Sequence, residues 1–220
     1  MARPVSTTAE KWFWITFQCR ATEGRRRGLD VDGVDSSADM LERLRRRADE
    51  QGIGATVFHQ RMEALNLPRR YRAIFLAGPT FTLLPDDATA LAALRGIRAH
   101  LPEGGTALVP LFTPAPTPAE QISRVRTAAA PDGAEHRVSV VAEQRDETAR
   151  TQTTLLRYER HRGTDSTIED RPWTMHWYTR DQFETLATTA GLTVTAVTDP
   201  DGKPVPADGT GLLHCRLQAT

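Results

Sequence analysis

The sequence is short of several things, and each shortage removes a class of function. Its 220 residues include only two cysteines, Cys19 and Cys215, far apart in the chain. A disulfide framework or a cysteine-rich zinc site is therefore not expected. No run of about 18 apolar residues occurs and the first residues lack the apolar core of a secretory signal, so neither a membrane span nor a leader is expected. Charge of one sign is also missing: 28 Lys plus Arg balance 28 Asp plus Glu, which leaves no overall field to draw in nucleic acid. The stretch Arg43 to Arg47 reads instead as the solvated side of a helix. His59, His100, His136, His161 and His214 are scattered, and none stands at metal-ligand spacing with a Cys or a second His, so no metal is expected. A Gly-x-x-x-x-Gly-Lys phosphate loop and a serine nucleophile elbow are both absent. What remains is a cytoplasmic protein for a small neutral or mixed-charge ligand. With 39% hydrophobic residues, a single domain over 1–220 can bury about 70% of its unfolded surface.

What is present is an alternation of strand and helix signals. Gly28-Leu29-Asp30-Val31-Asp32-Gly33-Val34-Asp35 reads as a short strand ending in an acid, and Ser36 or Ser37 caps a helix whose inner face is Met40, Leu41, Leu44 and Ala48. An acid in that place can grip the two hydroxyls of a ribose in a doubly wound sheet. The bland use of such an acid is to complement a helix dipole, a role better suited to Asp39. Ala55 to Met62 reads as the next strand. The apolar run Tyr71 to Ala77 follows as a strand buried on both sides, then a helix marked by Leu91, Leu94, Ile97 and Leu101, and a strand over Thr106 to Phe112. Crossovers of a dozen or more residues imply parallel pairing with helices on both faces.

The second half changes character. Thr117-Pro118-Ala119-Glu120 combines a cap, a first-turn Pro and a reciprocal Glu, which predicts a helix to about Ala130. Arg137 to Gln144, Thr151 to His161 and Trp173 to Tyr178 predict an antiparallel meander inserted over 135–178 on the substrate side. Thr179-Arg180-Asp181-Gln182 opens another capped helix, ended by Gly191. Leu192 to Val197 and Gly211 to Leu217 supply two closing strands.

In this order, Asp35-Ser36-Ser37-Ala38-Asp39-Met40-Leu41, Gln60-Arg61-Met62-Glu63-Ala64-Leu65-Asn66-Leu67-Pro68, Leu101-Pro102-Glu103-Gly104-Gly105-Thr106 and Trp177-Tyr178-Thr179 ahead of Ala190-Gly191-Leu192 are similar to class I S-adenosylmethionine-dependent methyltransferases of the small-molecule type. The resemblance implies an α/β, Rossmann-like, seven-stranded sheet, mostly parallel with the last strand antiparallel, or six-stranded if the first strand is lost. It implies S-adenosyl-L-methionine as cofactor, with Asp35 on the ribose hydroxyls beside Ser36. Arg61 and Met62 fall where the adenine is held. Many relatives carry an acid at the position of Arg61, and Glu63 is the residue that can stand in. Ala77 and Gly78, after the fourth strand, fall where the methionine part and the substrate approach.

The same resemblance calls for a glycine-rich loop before the acidic strand. Residues 1–27 depart from it: Trp12 to Cys19 can be a first strand, but only Gly24 sits in the following loop and Arg20 stands where a glycine belongs. Only eleven residues, Arg20 to Asp30, are available for the crossover. This segment reads as an altered or shortened start that weakens cofactor binding.

Chemistry on this scaffold is methyl transfer to an O, N or C atom of a small-molecule acceptor, with His176 and Tyr178 as candidates for base or substrate contact. Trp173, Trp177 and Phe81 are open to two uses, an apolar wall for the acceptor or plain packing. Two function classes stand side by side: a small-molecule methyltransferase, and a catalytically silent remnant or interaction protein on the same fold. A homodimer is compatible with either.

Overall fold

The computed structural model describes residues 11–15 (backbone only), 28–206, 209 and 211–220. The chain divides into two compact units, one running to Phe112 and resuming at Thr179, the other Thr113–Tyr178.

The first unit begins with β1 (Lys11–Ile15), β2 (Asp30–Asp35), α1 (Ala38–Glu50), β3 (Thr56–His59), β4 (Ala73–Leu76), α2 (Asp87–Ala99) and β5 (Thr106–Phe112). The second holds β6 (Arg126–Ala129), β7 (Glu135–Asp146), β8 (Thr151–Arg162) and β9 (Asp165–His176). The chain returns to the first unit with α3 (Arg180–Thr189), β10 (Leu192–Thr198) and β11 (Leu212–Ala219).

Seven strands of the first unit form one sheet in the order β10-β11-β5-β4-β1-β2-β3. The pairs of β1 with β2 and β4, of β2 with β3 and of β4 with β5 are parallel. β11 runs antiparallel to both its neighbours. Lys11–Ile15 thus enters the sheet as a parallel strand between β4 and β2. Because the chain leaves β1 toward β2 on one side and toward β4 on the other, strand order reverses there, which in open α/β sheets opens a crevice at the carboxyl ends.

Apolar patterning explains these elements. Val31 and Val34 of β2, Ile74 and Leu76 of β4, and Val109 and Leu111 of β5 are all buried, as parallel strands covered on both faces must be. In α1 only Leu41, Leu44 and Ala48 are buried, and Arg43, Arg45, Arg46 and Arg47 are exposed. Ser37, rather than Ser36, caps α1: its side chain accepts from the Met40 amide at 3.3 Å. Thr179 and Gln182 form the full reciprocal capping box of α3.

At the amino-terminal end of β2, Arg69 makes a two-pronged ion pair with Asp30 (2.6 and 3.0 Å) and a further one with Asp32 (2.8 Å). Tyr71 donates to Asp32 at 2.8 Å. Burial first, then the bond to Asp32, pushes the Tyr71 hydroxyl well above its ordinary pKa. These contacts tie the loop before β4 to β2. Of the aspartates on this strand, only Asp35 stands at the carboxyl end.

The second unit is a four-stranded antiparallel sheet in the order β6-β7-β8-β9. Three expectations are corrected. The stretch from Thr117 to Ala130 is not a helix but a single 3-10 turn, Ala119–Gln121, followed by β6. The Thr117 hydroxyl and amide both bond the Glu143 carboxylate, at 2.5 and 2.9 Å, instead of capping the turn. Ser123 takes a left-handed backbone (φ 65) and donates to the Val140 carbonyl at 2.8 Å, so strand pairing wins over local helix signals. The third meander strand is also longer than Trp173 to Tyr178, spanning Asp165–His176, with Trp177 and Tyr178 beyond it. It is exposed from Asp165 to Thr174 and lacks the alternation that marks a half-buried strand. The strand expected over Ala55 to Met62 ends at His59 and gives way to a 3-10 turn, Met62–Ala64.

Candidate functional site

Three carboxyl ends of the parallel sheet converge on one cavity of about 250 Å³. Asp35 and Ser36 follow β2, Gln60 to Glu63 follow β3, and Thr80, Leu83 and Leu84 follow β4. Four residues chosen from sequence, Asp35, Ser36, Arg61 and Met62, are therefore brought together on one wall system.

The β2 end is fixed by backbone geometry. Asp35 Oδ1 accepts from the Ser37 amide at 2.9 Å, and the Asp35 carbonyl accepts from the Gln60 amide at 3.1 Å. His59 Nε2 bonds the Ser36 carbonyl at 3.0 Å. The carboxylate thus keeps one oxygen engaged and the other without a partner among the described residues. Met62 starts the 3-10 turn, which seats against α2 at Gly96. A Cβ there would lie 3.4 Å from Leu65 Cβ and 3.7 Å from the Met62 carbonyl, so the helix gives up propensity for close approach. His100 completes this seat: its Nε2 accepts from the Leu67 amide at 2.9 Å and its Nδ1 donates to the Gly96 carbonyl at 2.7 Å.

Ala77 and Gly78 do not line this cavity. Ala77 is buried, and Gly78 has φ +63, a left-handed backbone that favours glycine. Thr80, two residues on, does line the cavity, and its buried hydroxyl has no partner among the described residues. Glu63 was expected there as the acid able to stand in at the adenine, whereas Gln60, Leu83 and Leu84 were not singled out from the sequence. Position after a strand end was the signal that could have found the rest. Gly24 lies outside the described residues.

His176 and Tyr178 belong to the second unit. Both are buried, and His176 Nδ1 and the Tyr178 hydroxyl share a hydrogen bond of 2.9 Å. The β7–β8 turn supports them: Arg150, with a left-handed backbone (φ 56), accepts from the Trp177 amide at 3.0 Å and sets its guanidinium 5.2 Å from the Tyr178 ring centroid. Arg145 stacks 4.1 Å over Trp177 and donates to Gln152 at 2.7 Å. Gln152 in turn donates to Glu143 at 2.9 Å. Burial pushes the Glu143 carboxyl upward, but the Thr117 hydroxyl and amide and the Thr154 hydroxyl outweigh it and hold the group below its ordinary range. As for the apolar wall, Phe81 is fully buried in a T-shaped contact with Phe183 at 5.5 Å, Trp177 is buried, and Trp173 is 46% exposed. Among the described residues no group of His, Cys, Asp and Glu could hold a metal ion.

Comparison with known proteins follows the same lines. Residues 20–105 match the model of the family described as "Methyltransferase domain". No curated protein sequence matches this one. Among solved structures, an S-adenosylmethionine-dependent methyltransferase from Clostridium acetobutylicum ATCC 824 superposes with a TM-score of 0.76 at 14% identity, covering 96% of this chain and 85% of that one. The CcbJ methyltransferase from Streptomyces caelestis gives 0.75 at 22% identity, with 97% and 84% covered. The sugar N-methyltransferase KedS8 from Streptoalloteichus sp ATCC 53650 gives 0.69 at 16%, with 98% and 82% covered. The chain has the fold of the class I S-adenosylmethionine-dependent methyltransferases, with the methyltransferase domain recognisable over residues 20–105.

Proposed function

We propose that this protein transfers a methyl group from S-adenosylmethionine to an O, N or C atom of a small molecule. The observation that carries the reading is the convergence of Asp35, Met62 and Thr80 from three successive strand ends on one cavity. The residues fit a nucleoside. Asp35 has an open carboxylate oxygen for a diol, Met62 a polarizable side chain for a ring face, Leu83 and Leu84 an apolar floor, and Thr80 a buried hydroxyl in need of a partner. When bound, the cofactor supplies an electrophilic methyl on a sulfonium sulfur. Asp35 grips, Met62 packs, and the rigid strand ends orient, which is the main service a protein renders to such a transfer.

The pair His176 and Tyr178 is part of this proposal as the base that takes the acceptor's proton. Its support is the shared hydrogen bond, which couples an imidazole to a phenol. Removing it by His176→Gln or Tyr178→Phe is expected to lower kcat about 100-fold or more. An unchanged kcat in both variants removes the pair from catalysis.

Carbohydrate-like acceptors are favoured, since KedS8 is named as a sugar N-methyltransferase and CalS10 as an amino pentose methyltransferase. The protein is proposed to act as a homodimer in the cytoplasm. Among the described residues five of the six exposed large hydrophobics lie in the second unit, and strand register puts Tyr158 and Trp173 on one face of its sheet with Val138 and Leu156. A concavity of about 420 Å³ lies along Val138 and Tyr158, able to take a partner copy's side chain. The buried thiol of Cys215, free of any disulfide, suits a reducing compartment. Among the described residues no helix is long and apolar enough to cross a membrane.

Calorimetry with S-adenosylmethionine and S-adenosylhomocysteine tests the function. Micromolar binding, abolished or strongly weakened by Asp35→Asn, supports the enzyme. No heat with a folded sample supports the silent scaffold instead.

A further inference from the structure

The second unit begins at Thr113 and ends at Tyr178, and one side chain grips the chain close to both points. Arg145, on β7, is 18% exposed. Its Nη1 donates to the Pro114 carbonyl at 2.5 Å and to Gln152 Oε1 at 2.7 Å, and its Nε donates to Glu147 at 2.5 Å. The guanidinium carbon lies 4.1 Å over the Trp177 ring. A planar fork can donate within its plane and stack along its normal at the same time, which an ammonium cannot. Gln152, which is buried, is itself held by Glu143 at 2.9 Å, so the acceptor that aims Arg145 is fixed.

Trp177 stands between the two residues proposed as the base. His176 and Tyr178 flank it in the chain and their side chains meet at 2.9 Å, which sends the indole to the other side of the backbone. The Trp177 amide donates to the Arg150 carbonyl at 3.0 Å, and its carbonyl accepts from Arg150 Nη1 at 3.4 Å. The ladder adds a further tie, with Gln152 opposite Met175 and Thr151 opposite His176. The peptide is thus held by β8 and its turn, and the buried ring by Arg145. Rocking of the chain at Trp177 would swing His176 and Tyr178 together, and the stacked indole is what resists it.

We propose, resting on the transfer reading above, that Arg145 is the positioning residue of the His176–Tyr178 pair. It acts through Trp177: anchored on Pro114, Gln152 and Glu147, the guanidinium clamps the indole, and the imidazole and phenol on either side are presented in one arrangement. A displacement of about 1 Å is enough to spoil the alignment of a reacting group, so this clamp bears on the rate as well as on cohesion.

The test is 15N NMR of the full chain labelled at its six histidines. His176→Gln assigns the His176 signal, and Tyr178→Phe gives the Nδ1 shift without the hydrogen bond. Arg145→Ala and Arg145→Lys are both expected to move the His176 Nδ1 shift most of the way to the Tyr178→Phe value, because lysine keeps the charge and loses the fork and the stack. Glu147→Gln, which removes only the solvent-exposed ion pair, is expected to leave it in place. The other five histidines, unshifted, show that each variant is folded, and if Arg145→Ala does not fold, Arg145→Lys decides alone. An Nδ1 shift that stays at the unaltered value in a folded Arg145 variant, one displaced as far in Glu147→Gln, or one accompanied by shifts in the other five histidines overturns the assignment and leaves the transfer reading standing. A Tyr178→Phe signal equal to the unaltered one removes the hydrogen bond and the proposal with it. Calorimetry with S-adenosylhomocysteine separates the two readings: no binding by the folded, unaltered protein removes the transfer reading, while the Nδ1 shifts still decide whether Arg145 holds the pair.

Discussion

The two units of this chain solve the problem of a β-sheet in opposite ways. In the first, Val31, Ile74, Val109 and Leu217 are buried, with Phe81 and Phe183 meeting edge to face. Parallel pairing forces that outcome, because each crossover has to lay chain over a sheet face. In the second unit, antiparallel hairpins close with short turns, and Tyr158, Ile168 and Trp173 are left 41%, 59% and 46% exposed. Its cohesion comes more from polar bonds: Arg157 with Asp170 at 2.8 Å on both prongs, Arg160 with Asp132 at 2.7 Å, and the Thr117–Glu143–Gln152–Arg145 chain. The lesson is that one sequence can carry a dry, packed sheet that fixes strand ends to within a hydrogen bond, and a wet sheet that keeps large side chains exposed.

The sharpest way to break this contrast is to remove matched aromatics. Phe81→Ala is expected to cost about 3–5 kcal/mol of unfolding free energy, while Tyr158→Ala should cost under about 0.5 kcal/mol. Denaturant melts of both variants measure it, and equal losses would mean that the second sheet is packed after all. Next in size is the ligand grip. Asp35→Asn is expected to weaken S-adenosylhomocysteine binding by about tenfold to a hundredfold, the worth of about 1.5–3 kcal/mol for a charge-assisted bond, with the melting midpoint unchanged.

A smaller effect concerns Glu143. Its carboxyl is held below its ordinary range in the fold, against burial, by Thr117 and Thr154. A depressed folded value means stability that is fully present above the unfolded pKa and lost as pH falls through the folded one. Amide exchange in β7 and β8 should therefore quicken on acidification below about pH 4, near the unfolded carboxyl value. Glu143→Gln should flatten that dependence at a cost of about 1 kcal/mol at neutral pH, and an unaltered acid profile in this variant removes Glu143 from the role. Smallest in stability is the double change Tyr158→Ser and Trp173→Ser, expected to leave the melt within about 0.5 kcal/mol yet convert a dimer to monomers in sedimentation. A variant that stays dimeric moves the interface elsewhere.

Legibility followed the same divide. The order β2, α1, β4, α2, β5 was readable from Val31 to Phe112 because burial on both faces writes apolar runs such as Tyr71 to Ala77, and a capping serine marks the start of α1. The run from Thr117 to Ala130 misled because its helix-start chemistry was diverted to Glu143, 26 residues away. β9 was read too short because a strand exposed on both faces has no hydrophobic period to detect. In the candidate site, Asp35 and Met62 were legible as residues after strand ends. Leu83 and Leu84 were not, since nothing local says that a 3-10 turn after β4 will close a cavity begun by β2.

By itself the sequence determined the alternation of buried strands and amphipathic helices, the acid that closes β2, and the caps that start each helix, because these rest on periodicity and local hydrogen bonding. Tertiary structure alone decided which of three aspartates on β2 lines the cavity and that His176 meets Tyr178. Those choices depend on which neighbours occupy each group first. Asp30 and Asp32 are claimed by Arg69 and Tyr71, Arg61 is drawn to water, and only what is left unclaimed at a converging set of strand ends is available for chemistry.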